Sequence, residues 1–303
     1  MSISCNLMHL LCPPQSNRDT GLGNTLFQLA TMYALSIDNN LQIHINELDL
    51  YCNLLKNFNY DHKEKIFKKW FELFNNNNKT DTITIRESEA YPVEQFLDLH
   101  FLNRIKDTIY NNILIEGYFQ SHLYFDKYKF DLYNLFEIDT DSLNYIQNKY
   151  PILFDTNTTT ICIHIRMNYA NCINYNFNYF EKAINYFKER FHNIHFLIFS
   201  NNISSIENWF VNIDTKYTYI TNNIDYIDLW IMSLCKHNII THSTFSWWGA
   251  YLNKNPNKII TFPIDTLKIS MGCLYTDYKY VQRRNEYYFP EWIGIDSDTL
   301  YLY

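Results

Sequence analysis

The chain has 303 residues, 47% of them hydrophobic, which is enough for two domains of typical size. A formal charge of −7 argues against a basic surface that binds nucleic acid. No apolar run reaches the roughly 18 residues of a membrane span, and the first twelve residues lack a signal peptide's basic segment. The seven cysteines form no C-x-x-C pair, which favours free thiols over a zinc site or disulfides. We therefore expect a soluble cytoplasmic protein without a metal.

The first half of the chain alternates helix and strand patterns less regularly than the second. Residues 3–11 predict a strand, and residues 21–30 open an amphipathic helix that continues to about Ile37. The other predictions in this half are strands at 41–45, 82–85 and 113–116, a surface loop at 75–78, and helical segments at 50–74, after Ser121 and at 142–150, the last with Asp141 as a candidate cap. The Thr-rich connection at 151–160 predicts a boundary between domains 1–157 and 158–303.

In the second half, five apolar strand patterns alternate with helical patterns. The predicted strands are 161–165, 194–199, 217–220, 238–241 and 258–262, and the predicted helices are 179–191, a segment from about 204, 225–236 and a segment from Ser243. Such alternation predicts a doubly wound, parallel α/β domain. Ligands of these sheets bind beyond the carboxyl ends of the strands.

Polar residues follow three of these strands: His164 and Arg166, then Ser200 and Asn201, then Ser243 and Thr244. Arg166 directly follows an apolar strand, where a partly desolvated cation suits a diphosphate; a structural salt bridge is the alternative. His164 alternates with isoleucines, so it is either a site residue or a hydrogen-bonded core histidine.

The hydroxyl residues Ser243 and Thr244 precede an aromatic-rich helix, whose amino terminus would suit a phosphate. The alternative is an ordinary capped helix around a buried tryptophan pair, and we expect Phe245, Trp247 and Trp248 to pack rather than to bind sugar.

Two further segments carry candidate binding residues. The run Gly21-Leu22-Gly23-Asn24 allows the backbone to approach a ligand closely, although most such pairs are turns. Asp225 and Asp228 open a helix, where they either favour the helix dipole or place one carboxylate against the N1–H and N2–H₂ donors of guanine.

Six segments resemble, in the same order, the motifs of glycosyltransferase family 11, the α-1,2-fucosyltransferases that use GDP-fucose. The segments are residues 21–30, 116–121, 164–166, 199–201, 228–237 and 243–252. The resemblance covers about residues 20–265. The resemblance implies a GT-B-like α/β fold of two Rossmann-type domains facing across a cleft. It also implies inversion at the sugar, GDP-fucose as donor substrate, a glycan acceptor ending in a galactose-like sugar, and no metal or other cofactor.

The same resemblance implies roles for individual residues. Arg166 would hold the diphosphate, Asp228 would read guanine, and Asn24 would close on the donor. The catalytic candidates are Arg166 and His164; the donor-binding candidates are Gly23, Asn24, Ser200, Asn201, Asp228, Ser243, Thr244 and Phe245.

The chain departs from the family pattern H-x-R-R-x-D-Y, for which it has His164-Ile165-Arg166-Met167-Asn168-Tyr169-Ala170. The second arginine and the acid are missing, so a general base must come from elsewhere, with Asp19 and His164 as candidates, or be dispensable. The D-x-D spacings at 139–141 and 296–298 precede a helix and lie in the terminal tail, respectively, so we expect no metal there. An inactive GDP-sugar-binding protein and a transferase of another GDP-deoxysugar are the alternative functions.

Overall fold

The computed structural model of the chain describes residues 2–5, 22–44, 82–86, 99–107, 112–167, 177–264 and 286–296. The chain forms two compact units: unit 1 comprises Met1–Asp139 with Tyr278–Phe289, and unit 2 comprises Thr140–Asp277 with Pro290–Tyr303. In these described segments, no helix combines the length and the apolar character that crossing a membrane requires.

Unit 1 contains a parallel sheet with the strand order β2-β1-β4-β3. Its elements are β1 (Ser2–Cys5), α1 (Leu22–Asp38), β2 (Gln42–His44), β3 (Thr82–Arg86), α2 (Leu99–Lys106), β4 (Asn112–Glu116) and α3 (Lys129–Leu135). The predicted helix from residue 21 and the predicted strands at 41–45, 82–85 and 113–116 are confirmed by α1, β2, β3 and β4. Of the strand predicted at 3–11, residues 3–5 are confirmed and the remainder lies outside the described residues. Helix α2 was not predicted. The helical segment predicted at 50–74 and the loop at 75–78 lie outside the described residues.

The core of unit 1 includes residues from near the end of the chain. Tyr287 stacks on Phe27 with ring centroids 6.0 Å apart, and Phe289 stacks on His122 at 4.1 Å. The Ser121 hydroxyl donates to the Glu286 carbonyl at 3.2 Å. The chain thus contributes residues to unit 1 again after it has passed through most of unit 2.

Unit 2 contains a parallel sheet with the strand order β10-β9-β8-β5-β6-β7. Its elements are α4 (Thr140–Lys149), β5 (Thr159–Ile165), α5 (Phe177–Lys188), β6 (Ile194–Ser200), β7 (Lys216–Tyr219), α6 (Asp225–Leu234), β8 (His237–Ile239), α7 (Thr244–Tyr251), β9 (Ile260–Ile264) and β10 (Ile293–Asp296). From β5 the chain adds strands in one direction, and from β8 it adds them in the other. A parallel sheet that is extended in both directions in this way is doubly wound, so the prediction of a doubly wound parallel domain is confirmed.

Helix α4 belongs to unit 2, so the division between the units comes before the boundary predicted after residue 157. Two of its side chains contact the loop after β7: Lys149 Nζ and Tyr145 Oη both donate to the side-chain oxygen of Asn223, Oδ1, at 2.7 and 3.1 Å. The Thr-rich connection that suggested the boundary instead leads into β5.

Three predictions of local structure are wrong. The helix expected from about residue 204 is two 3₁₀ turns, Ile203–Ser205 and Glu207–Trp209, because the Asn202 side chain accepts from the Ser205 amide and starts a tight turn. Asp141 lies inside the first turn of α4 rather than capping it. The supposed terminal tail contains a sixth strand, β10, which pairs with β9.

Candidate functional site

The order of the strands in unit 2 reverses between β5 and β8. These strands are neighbours, with Ile163 opposite Ile239, and β6 lies on the other side of β5, with Ser200 opposite Ile165. Because all three strands are parallel, the residues that follow them share one edge of the sheet. An open α/β sheet binds its ligand at such a switch point, outside the carboxyl ends of the strands.

Arg166 leaves β5 at this edge and is half-buried. Of the residues that the structure describes, none forms a hydrogen bond or an ion pair with its guanidinium, so the structural salt bridge considered from the sequence has no partner among them. A half-buried guanidinium presents several N–H donors in a fixed plane, which suits two oxygens of a phosphate or diphosphate.

Asn201 holds the ends of β5 and β6 together. Its carbonyl oxygen accepts from the Met167 amide at 2.8 Å, and its amide nitrogen donates to the Met167 carbonyl at 3.2 Å. The Ser200 hydroxyl accepts from the Asn202 amide at 3.0 Å. Both side chains, predicted to bind the donor, thus bind backbone: Asn201 binds Met167, next to Arg166, and Ser200 binds Asn202. Asn201 positions the residue that follows Arg166.

His164 is a buried residue of β5, and its ring faces the loop after β8. Its Nδ1 lies 3.4 Å from the Thr241 hydroxyl, and its ring centroid lies 5.8 Å from that of Phe245. Burial, and then the charge of Arg166, lower the pKa of His164 to about 3. A base at this position would have to take up a proton near neutral pH, whereas the His164 side chain is neutral there.

The amino terminus of α7 lies beside His164. Ser243 is its N-cap, with φ −72° and ψ 127°, but the Ser243 hydroxyl makes no capping hydrogen bond. The first intrahelical bond runs from the Trp247 amide to the Ser243 carbonyl at 3.0 Å, so the amides that precede it point out of the helix. The buried Tyr179 hydroxyl donates to the Ile240 carbonyl at 2.7 Å and fixes the approach to this turn. This is suitable geometry for an anion.

The aromatic residues of α7 mostly form core. Trp247 and Trp248 are completely buried, which confirms that they pack rather than bind sugar, whereas Phe245 is partly exposed beside His164. The helix also packs closely on α6, because a Cβ atom built on Gly249 would lie 2.8 Å from the Met232 Cβ.

Asp228 lies in the first turn of α6, which begins at the same edge because α6 follows the parallel strand β7. Its Oδ1 accepts from the Asn223 amide at 2.8 Å. Burial raises the pKa of Asp228 to about 6, the Asn223 hydrogen bond opposes this shift, and the nearby Asp225 carboxylate adds to it. This carboxylate is a hydrogen-bond acceptor that ionises close to physiological pH.

Gly23 and Asn24 lie in the first turn of α1, in unit 1. Asn24 Oδ1 accepts from the Gln120 amide at 2.7 Å, and the Gln28 amide donates to the Gly117 carbonyl at 2.9 Å. The two unit 1 segments that the sequence singled out, 21–30 and 116–121, are therefore in direct contact.

Sequence reasoning missed two residues of this region. Thr241 ends the strand predicted at 238–241, but only the structure shows that it faces His164. For Asn223, the sequence shows only that it precedes a helix with two acidic residues in its first turn, which does not indicate a role in the site. Asp19, Asn168 and Asp298 lie outside the described residues. In the part of the chain that is described, no three His, Cys, Asp or Glu side chains cluster closely enough for a metal.

Residues 17–296 match the model of the family described as Glycosyl transferase family 11. The chain belongs to this family. O-antigen biosynthesis glycosyltransferase WbnK of Escherichia coli is 29% identical to it, over 80% of this chain and 91% of the relative. Alpha-1,2-colitosyltransferase of Escherichia coli is 27% identical, over 77% of this chain and 84% of the relative. Each match spans most of this family 11 chain and most of the relative.

Solved structures of NodZ also align with this family 11 chain. Fucosyltransferase NodZ from Bradyrhizobium gives a TM-score of 0.48 at 11% identity, covering 82% of this chain and 92% of that one. NodZ alpha-1,6-fucosyltransferase soaked with GDP-fucose gives a TM-score of 0.48 at 12% identity, covering 83% and 92%.

Proposed function

We propose that this chain is an inverting glycosyltransferase that moves L-fucose from GDP-fucose to a glycan hydroxyl, O2 of a terminal galactoside. Family membership and the two glycosyltransferase relatives support sugar transfer, and the motif resemblance supports fucose. One observation carries the proposal: Arg166 and the amino terminus of α7 follow the two strands, β5 and β8, between which the strand order reverses.

In the proposed reaction, the acceptor oxygen attacks C1 of fucose on the face opposite GDP. The bond between C1 and the β-phosphate oxygen breaks, and its electron pair leaves with GDP. The transition state has oxocarbenium character, so charge develops on the sugar and on the departing diphosphate. Arg166 and the α7 amides would stabilise that diphosphate, and the acceptor proton would pass late to phosphate or water.

Asp228 would select the guanine. A carboxylate has two acceptor oxygens, and guanine offers N1–H and N2–H₂ along one edge. Asp228 lies in the first turn of α6, at the edge that also carries Arg166, and its partial burial makes a charge-assisted hydrogen bond stronger than in water. A buried carboxylate that finds no such donors would lose this stabilisation, and adenine offers neither of them.

A second donor has specific support. The relative named Alpha-1,2-colitosyltransferase covers most of this chain, so colitose, another deoxy sugar, is the alternative to fucose. The name of this relative also supports the α-1,2 linkage. A catalytically inactive GDP-sugar-binding protein is the remaining alternative, and the departure at Met167 and Asn168 from the family pattern is what suggests it.

The test combines purified protein with GDP-fucose or GDP-colitose and a terminal β-galactoside. We expect GDP release, an acceptor heavier by one fucosyl residue in mass spectrometry, and an α-linked product by NMR. Faster transfer from GDP-colitose would reassign the donor. GDP binding without transfer to any of a panel of acceptors would favour the inactive binding protein.

A further inference from the structure

One amide side chain in the loop between β7 and α6 connects Asp228 to helix α4. The Asn223 nitrogen donates to Asp228 Oδ1 at 2.8 Å and to the Tyr150 hydroxyl at 2.9 Å. The Asn223 oxygen accepts from Lys149 Nζ at 2.7 Å and from the Tyr145 hydroxyl at 3.1 Å. Both polar atoms of this amide therefore have partners, which come from α4, from Tyr150 directly after it, and from α6.

These partners determine which way the amide faces. A flipped amide would put its NH₂ group against the Lys149 ammonium, which can only donate, and its oxygen against the Asp228 carboxylate, which can only accept when ionised. The observed orientation is the one in which each contact pairs a donor with an acceptor. Asn223 is thus a rigid donor aimed at one oxygen of Asp228, and Asn222 before it has a positive φ of 60°, which makes a tight turn.

We propose that Asn223 is a specificity-determining positioning residue for the base: it holds the plane of the Asp228 carboxylate so that both oxygens meet the two guanine donors. This inference rests on the proposed function, in which Asp228 reads guanine. A carboxylate that rotates about its bond to Cβ keeps one good hydrogen bond to the base, but not two parallel ones. Fixing the plane beforehand also removes the entropy cost of ordering it on binding.

The charges around Asp228 make the role of Asn223 testable by pH. Asp225 faces the carboxylate from its own helix and Lys149 faces it from α4, while the buried Cys162 thiol lies within electrostatic reach on β5. The Asn223 hydrogen bond lowers the pKa of Asp228 and so favours the ionised form. Because the ionised form is the guanine acceptor, GDP affinity should fall as the pH drops through the Asp228 pKa. Loss of Asn223 should move that midpoint upward.

The experiment measures the affinity of the full chain for GDP and for IDP, which lacks the 2-amino group, by calorimetry between pH 5.5 and 8.5. We expect the wild type to bind GDP at least about tenfold more tightly than IDP, because one charge-assisted hydrogen bond is lost in IDP. Asn223→Ala should bring the ratio of GDP affinity to IDP affinity (the GDP-to-IDP ratio) close to one. It should also raise the pH at which GDP affinity falls to half. Asn255→Ala is the matched control: this amide donates to the Lys236 carbonyl, near the start of β8 and so at the opposite edge of the sheet, and its loss should change neither quantity.

The outcomes separate this inference from the proposed function. If Asp228→Asn leaves the GDP-to-IDP affinity ratio at its wild-type value, Asp228 does not read guanine, and that part of the proposed function is wrong. If Asp228→Asn removes the selectivity but Asn223→Ala keeps both the wild-type ratio and the pH midpoint, only the inference on Asn223 is overturned. Should Asn223→Ala not fold, Lys149→Met tests the same point from the exposed surface. It removes one of the donors that orient the Asn223 amide, so it should lower the GDP-to-IDP affinity ratio, but by less than Asn223→Ala. An unchanged ratio would overturn the inference.

Discussion

Gly249→Ala should destabilise unit 2, because two helices approach each other too closely there for a methyl group. The added Cβ would lie 2.8 Å from the Met232 Cβ and 3.2 Å from its sulfur. The sulfur can swing away, but the Met232 Cβ moves only with the backbone of α6. Overpacking of this kind costs about 1–3 kcal/mol, and the better helix propensity of alanine returns up to about 1 kcal/mol. We expect a net loss of roughly 1–2 kcal/mol.

Urea unfolding followed by tryptophan fluorescence measures this loss, because Trp247 and Trp248 lie in α7 itself. An unfolding free energy of Gly249→Ala equal to or above that of the wild type would refute the reasoning, since it would show that α6 and α7 can separate without cost. GDP affinity should weaken in the same variant, because any shift of α7 moves the amides at its amino terminus.

Three further predictions concern the proposed reaction. Arg166→Ala should weaken GDP binding by roughly 10- to 150-fold, the equivalent of about 1.5–3 kcal/mol for a charge-assisted partner, and unchanged affinity in a folded variant would remove Arg166 from the site. Transfer should persist in EDTA, because Arg166 and the α7 amides would do the work that a metal does in other transferases; loss of activity restored by Mn²⁺ would contradict this. Asn168→Ala should lower kcat by less than about tenfold and Asn168→Asp should not raise it, whereas a general base at this position would contribute about 10²–10⁴-fold.

The central strands of unit 2 could be predicted from sequence for a clear physical reason. Strands β5 and β6 are largely buried and carry apolar runs at residues 161–163 and 196–199, so the polar residues that follow these runs stand out. That contrast was enough to place Arg166, Ser200 and Asn201 at one edge of a sheet. It could not show that the Asn201 amide binds the Met167 backbone, because that depends on which strands are neighbours.

The features that sequence reasoning missed depend on contacts between distant segments. β10 is four residues long and contains a glycine, so only its pairing with β9 identifies it as a strand. The stacking of Phe289 on His122 joins parts of the chain that no local pattern relates. The hydrogen bonds of Lys149 and Tyr145 to Asn223 join α4 to the loop after β7, more than 70 residues away in the sequence. Periodicity describes which face of an element is buried, but not the partner against which it is buried.

The neutral state of His164 leads to a last prediction, about acid stability and the missing base. A histidine in an unfolded chain has a pKa near 6.5, whereas burial and Arg166 lower that of His164 to about 3 in the folded protein. Below about pH 6.5 the unfolded chain therefore binds a proton that the folded chain does not. Folding stability should fall with the pH from there toward pH 3, by up to about 1.4 kcal/mol per pH unit from this residue.

His164→Gln should remove that contribution, so its unfolding free energy between pH 5 and 7 should depend less steeply on pH than that of the wild type. His237→Gln should have a similar effect: His237 is also buried, its pKa is lowered to about 4, and its Nδ1 accepts from the Ile259 amide, which requires the neutral ring. Because a base that accepts a proton only near pH 3 is poorly matched to the acceptor hydroxyl, His164→Gln should also leave the pH profile of kcat between pH 6 and 9 unchanged at saturating donor. A wild-type profile with an acidic limb near pH 6.5 that disappears in His164→Gln would show instead that His164 is the base. The reaction would then not proceed without one.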